Sequence, residues 1–138
     1  MENEKFKSKI KKVADAFKAR KQKMFKMSDF SIFPLRHRKF NLACNNLIII
    51  IEALNAEANG GKEWIPDYTD NNYKYELWWN IKADKKRPSG FAVSHTLYVN
   101  WKTFTIVGSH FCFISRPVAS YCAKQFKKEW ENYILLKK

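Results

Sequence analysis

Apolar residues between positions 4 and 27 return at steps of three, four and seven. Phe6, Ile10, Val13, Phe17, Met24 and Met27 mark one narrow stripe, Arg20 stands in its longest gap, and lysines occupy nearly every other side. On a helix this is a thin seam of heptad type. Ser28, Asp29 and Pro34 predict an interruption, because proline lacks the N–H that a continuing helix needs. A second helix is expected from Asn41, where Ala43, Leu47, Ile50, Ile51, Leu54 and Ala58 recur at helical spacing up to a stop at Asn59-Gly60-Gly61. The isoleucine run Ile48 to Ile51 would also suit a buried strand, but the pattern runs past strand length.

Lys62 to Asn72 reads as a structured loop, with Trp64 and Ile65 plugging the core edge and Pro66-Asp67 setting a turn. The period then changes to two. Tyr73, Tyr75, Leu77, Trp79 and Ile81 share one strand face, and Lys74, Glu76, Trp78 and Asn80 the other. A basic hairpin loop over residues 82–90 leads to a second strand, Phe91–Val99, and a turn leads to a third, Phe104–Ile114, with Gly108 as a bulge or close approach. Ser115 and Pro117 open a last helix, whose buried stripe is Val118, Cys122, Phe126, Trp130 and Tyr133. The expectation is a single α+β domain over residues 1–138: two N-terminal helices, a three-stranded antiparallel meander and a C-terminal helix. Within it, residues 1–30 form a basic helical appendage on an α+β core of residues 42–136.

Charge changes the picture from fold to partner. The chain carries 26 basic and 13 acidic residues, a net +13, and the first 40 residues hold 13 basic and 4 acidic ones, a net +9. An excess of this size attracts polyanions. The candidate contacts are Lys5, Lys9, Lys12, Arg20, Lys23 and Lys26 on the first helix, the knot of Arg36, Arg38 and Lys39, and Lys85, Lys86 and Arg87 on the hairpin. Trp78 and Tyr98 could stack on unpaired bases, or could cover the second face of the sheet beneath a helix. Lysine outnumbers arginine, which favours backbone attraction over base reading. RNA or a ribonucleoprotein is therefore the expected partner, with an acidic protein surface as the alternative. A weak homodimer through the opening seam is a further possibility beside the monomer, and a membrane surface fits the thin seam poorly.

The words "EWIPDY", "YKYELWW", "SGF", "VGSHFCFIS" and "ASYCAKQF" together resemble the small proteins carried by phages, prophages and mobile elements of Bacteroidetes, over about Leu47 to Tyr133. That resemblance implies no chemistry. It implies a mobile-element setting, in which small non-enzymatic proteins disable host machinery. Inhibitors of RNA-guided nucleases, the anti-CRISPR class, are prominent among them. The basic front of the chain lies outside the shared part, so a specialised role is expected there.

Catalytic readings are thin. His110 and Cys112 could share a strand face, yet no orienting group or oxyanion signature accompanies them. His95, His110, Cys112 and Cys122 could be imagined around zinc without any supporting spacing. Asp67, Asp70 and Glu76 read as ordinary loop and strand residues, and no phosphate-cradling glycine loop is present. The expectation is a non-enzyme without cofactor. Three cysteines without C-x-x-C spacing, no membrane-length apolar run and no signal-peptide pattern predict a cytoplasmic protein.

Overall fold

The computed structural model describes residues 5–67, 69, 72–81, 92–99 and 107–136, with the backbone alone for residues 80 and 92–99. Among these residues the architecture is mostly helical. Four helices, α1 (Val13–Ala19), α2 (Leu35–Ala58), α3 (Arg116–Gln125) and α4 (Lys127–Ile134), accompany a two-stranded ladder of β1 (Lys74–Asn80) and β2 (Ala92–Val99), which packs on α3.

α2 is the central element, and α1, α3 and α4 all pack against it. Its predicted stripe is the core: Ala43, Leu47, Ile50, Ile51 and Leu54 are buried. Pro34 lies immediately before the first turn, where no intrahelical N–H bond is required, so the proline sets the helix start rather than a gap after it. The helix therefore begins six residues earlier than expected and carries the Arg36–Lys39 knot on its first turns. It ends at Asn59, as its glycine stop predicts, with Gly60 and Gly61 at φ of 71° and 84°.

The opening segment is not one helix. Residues 5–12 are irregular, with bends at Lys9 and Lys12, α1 lasts seven residues, and residues 22–26 are irregular again before a 3-10 turn at Met27–Phe30. α1 closes through a Schellman arrangement. Gln22 N donates to Phe17 O at 2.9 Å and Lys21 N to Lys18 O at 3.1 Å, with Lys21 in the left-handed region at φ 54°. Ile10 and Ala16 are buried in the same core that contains α2 and Trp130, and Phe17 is buried with its ring edge-on to Phe25, so residues 5–19 belong to the body of the fold rather than to an appendage. The seam that a homodimeric coiled coil would have used is turned inward over Ile10 to Phe17.

The three-stranded meander does not form. β1 and β2 pair antiparallel from Lys74↔Val99 to Asn80↔Ala92, with an irregularity between Trp78 and Trp79. Among the described residues the predicted third strand contributes one bridge, Tyr75↔Phe113, and it lies on β1 instead of β2. Gly108 at φ 79° breaks the extended run, and a 3-10 turn follows at Ser109–Phe111. Residues 104–106, the start of that predicted strand, lie outside the described residues. Residues 112–114 are clasped from the other side by α2. Asn55 Nδ2 donates to Cys112 O at 3.0 Å, and Asn55 Oδ1 accepts from Ile114 N at 3.0 Å.

On β1, Leu77 is buried and Tyr75 and Trp79 pack against the core, as the alternation predicts. The opposite face holds a surprise, because Lys74 and Glu76 are buried too while Trp78 is 40 % exposed. Pro66 is buried but Ile65 is 72 % exposed, so Ile65 does not plug the core edge. Ser115 caps α3, accepting from Val118 N, with Pro117 in the first turn. The last helix breaks once, at Phe126, into α3 and α4. Its stripe holds across the break: Val118, Cys122, Phe126 and Trp130 are buried. Trp130 stands between Trp79 and Phe111, with ring centroids at 5.4 and 6.1 Å. Among the described residues no helix is long and apolar enough to cross a membrane.

Candidate functional site

Residues 5–11 read Lys-Phe-Lys-Ser-Lys-Ile-Lys, and burial alternates with that pattern. Phe6, Ser8 and Ile10 face the protein, while Lys5, Lys7, Lys9 and Lys11 are exposed. A segment outside any helix or sheet must satisfy its backbone polar groups elsewhere. Here side chains from distant elements do so. Glu57 at the end of α2 accepts from Ser8 Oγ and, at 3.0 Å, from Lys9 N. Tyr121 Oη donates to Ile10 O at 2.6 Å, and Gln125 Nε2 to Lys11 O at 2.8 Å. Phe6 meets the Tyr121 ring edge-on with centroids 5.6 Å apart. We call residues 5–12 the strap.

Beyond the strap, Lys12, Lys18, Lys21, Lys23 and Lys26 are also exposed. The local carboxylates serve the backbone rather than these ammonium groups. Asp15 Oδ2 accepts from Lys11 N and Lys12 N at 3.0 and 2.9 Å, which holds its pKa below the usual aspartate value. Asp29 Oδ2 accepts from Lys26 N at 2.7 Å. Arg20, by contrast, makes two ion pairs, to Glu52 at 3.5 Å and to Glu63 at 3.3 Å. It is therefore a brace between α1, α2 and the loop after it, and is turned away from any external anion.

Arg38 is likewise turned inward. Its Nε donates to Phe33 O at 2.9 Å and its Nη2 to Ser31 O at 3.0 Å, which clips the loop before α2. Arg36 Nε donates to His37 Nε2 at 3.1 Å. The Arg116 guanidinium lies 5.9 Å from the Tyr75 ring centroid. The planar fork of arginine is suited to such fixed internal geometry, and the lysines are left to face solvent.

The expected binding residues thus divide. Lys5, Lys9, Lys12, Lys23, Lys26, Arg36 and Lys39 are exposed, and Trp78 is partly so; Arg20 and Arg38 hold the fold together. Lys85, Lys86 and Arg87, and the side chains of Tyr98 and His95, lie outside the described residues. The structure adds Lys7, Lys11, Lys18 and Lys21, which helical spacing did not single out. The lysine alternation from Lys5 to Lys11 was the signal that could have found the first two.

Two concavities accompany these cations. Lys5 and Lys7 flank a cleft of about 680 Å³ whose far wall is Ser115, Pro117 and Val118. A second hollow, also about 680 Å³, lies between the first turns of α2 and the end of α4, with Phe40 and Tyr133 among its lining residues and Arg36, His37 and Lys39 beside them. Phe40 stacks on Tyr133, centroids 5.4 Å apart, and Tyr133 stacks on Phe111 at 5.0 Å.

The Cys–His pairing imagined for residues 110 and 112 does not survive the geometry. His110 is exposed, whereas Cys112 is fully buried with its Sγ 3.6 Å from Ser109 O. Burial, then the charge of Glu76, pushes the Cys112 thiol up to about 12, with Lys74 opposing. Burial likewise raises Cys122 to about 12. Neither thiol is a thiolate near neutral pH, so neither is a ready nucleophile or metal ligand. Among the described residues no group of three His, Cys, Asp or Glu side chains could hold a metal ion. No family model, curated protein or solved structure matches this chain.

Proposed function

We propose that this chain is a small, non-enzymatic binding protein that grips the phosphate backbone of RNA, free or within a ribonucleoprotein, through the lysines of residues 5–26. One observation carries the reading: the strap fixes its backbone to α2 and α3 while Lys5, Lys7, Lys9 and Lys11 all remain exposed, outside any ion pair with the described residues. Such a cluster of unneutralised ammonium groups suits a phosphate backbone. Ammonium groups act as point charges and read no base edges, so the binding is weakly sequence-selective. In the mobile-element setting implied by the resemblance, the host target would be an RNA-guided (CRISPR) nuclease in the bacterial cytoplasm, and the outcome its inhibition.

The test is fluorescence anisotropy of a labelled single-stranded RNA over a potassium chloride series. Affinity should fall linearly on a log–log plot. The triple variant Lys5→Gln, Lys7→Gln, Lys9→Gln should keep its melting temperature and lower the slope by about 2, at roughly 0.7 for each phosphate no longer neutralised. An unchanged slope, or no binding at low salt, overturns the proposal.

A further inference from the structure

The hollow between α2 and α4 has a composition different from the strap. Its floor is apolar and fixed: Phe40 and Tyr133 are stacked, and Leu35 and Leu136 at its edges are 72 % and 71 % exposed. Its charged lining residues are Arg36 and Lys39, with His37 beside them, and among the described residues no carboxylate lines it. Apolar exposure continues along the chain leading into α2, where Ile32 is 87 % and Phe33 42 % exposed. A small ligand seated in the hollow would leave those side chains wet. Patches of exposed large apolar residues rimmed by charge mark protein docking sites.

We infer that this hollow receives an acidic amphipathic segment of another protein, its apolar side chains entering over Phe40 and Tyr133 and its carboxylates meeting Arg36 and Lys39. Charge selects this occupant. A second copy of the chain would bring its own +13 against the same cations. An acidic segment meets them with the opposite sign, and a helical one presents anchors at the i, i+3, i+4 and i+7 spacing that such grooves accept. The volume, about 680 Å³, lies in the range of formed pockets. The inference stands on different residues from the RNA reading and does not depend on it.

The probe is a fluorescein-labelled synthetic peptide of about 18 residues with leucines at that spacing and glutamates elsewhere. A scrambled peptide of equal composition and a lysine-for-glutamate version are the controls. The first peptide alone should bind. The surface variants Leu35→Glu with Leu136→Glu, and Arg36→Glu with Lys39→Glu, should each weaken it by about tenfold or more while the melting temperature stays unchanged. Equal binding of the scrambled peptide, or equal binding by both variants, overturns the inference. So does light scattering that shows a dimer of the unmodified chain abolished by Leu35→Glu, which would assign the hollow to a second copy. Preferential binding to phosphatidylglycerol vesicles, lost in the same variant, would assign it to lipid and also overturn the inference.

Discussion

Residues 5–12 and residues 24–40 are both basic and both studded with large apolar side chains, yet they end in opposite states. The first stretch turns Phe6 and Ile10 inward and fixes its backbone with Glu57, Tyr121 and Gln125. The second leaves Met24, Met27, Ile32, Phe33, Leu35 and Phe40 at least 37 % exposed; its Phe25 ring meets Phe17, and its side-chain ties to backbone are local, chiefly the Arg38 clip onto Ser31 O and Phe33 O. Hydrophobicity alone does not distinguish them. A stretch without regular hydrogen bonding can lie against a core only where distant side chains satisfy its N–H and C=O groups. The strap has those partners, and the loop before α2 has only its own neighbour.

The sharpest way to break the comparison is to truncate one apolar residue on each side. Ile10→Ala, in the strap and buried in the core, should destabilise by about 2–5 kcal/mol, whereas Leu35→Ala should stay within about 0.5 kcal/mol in the same chemical denaturation series. Removing the polar ties comes next. Glu57→Ala should lower stability by about 1.5–3 kcal/mol and speed amide exchange at Lys9, because two bonds to a carboxylate disappear together. Arg38→Ala, at the exposed loop, should lower it by about 1 kcal/mol and loosen residues 31–34 only. Equal responses from the two variants would erase the distinction. The smallest effect is a gain. Lys21→Gly should stabilise by up to about 1 kcal/mol in thermal unfolding, since Lys21 holds a left-handed conformation that glycine adopts without strain.

That lysine also explains where sequence reasoning stopped. The apolar steps of Phe6, Ile10, Val13 and Phe17 do name the inward face, but nothing at Lys21 announces a helix end, because the expected signal is glycine or asparagine. The α2 and α3–α4 stripes were legible because each buries one continuous side at helical spacing. The third strand was not, since a single glycine at positive φ decided it and an alternating pattern cannot reveal which neighbour will pair. Lysine enrichment pointed to the basic surface. Which cations face outward depended on tertiary partners: Arg20 finds Glu52 and Glu63 from distant parts of the chain. The hollow beside Phe40 was invisible for the same reason, being made by two helices nearly a hundred residues apart.

Asn55 has a wider consequence. Its one planar amide gives to Cys112 O and takes from Ile114 N, so a side chain of α2 does what a neighbouring strand would otherwise do. Aspartate could only take, leucine could do neither, and glutamine is a methylene too long for the same grip. Sliding residues 112–114 by one place would present the wrong groups to both atoms. The central helix thereby sets the phase of residues 112–114, and replacing Asn55 should cost more stability than replacing any of the exposed lysines.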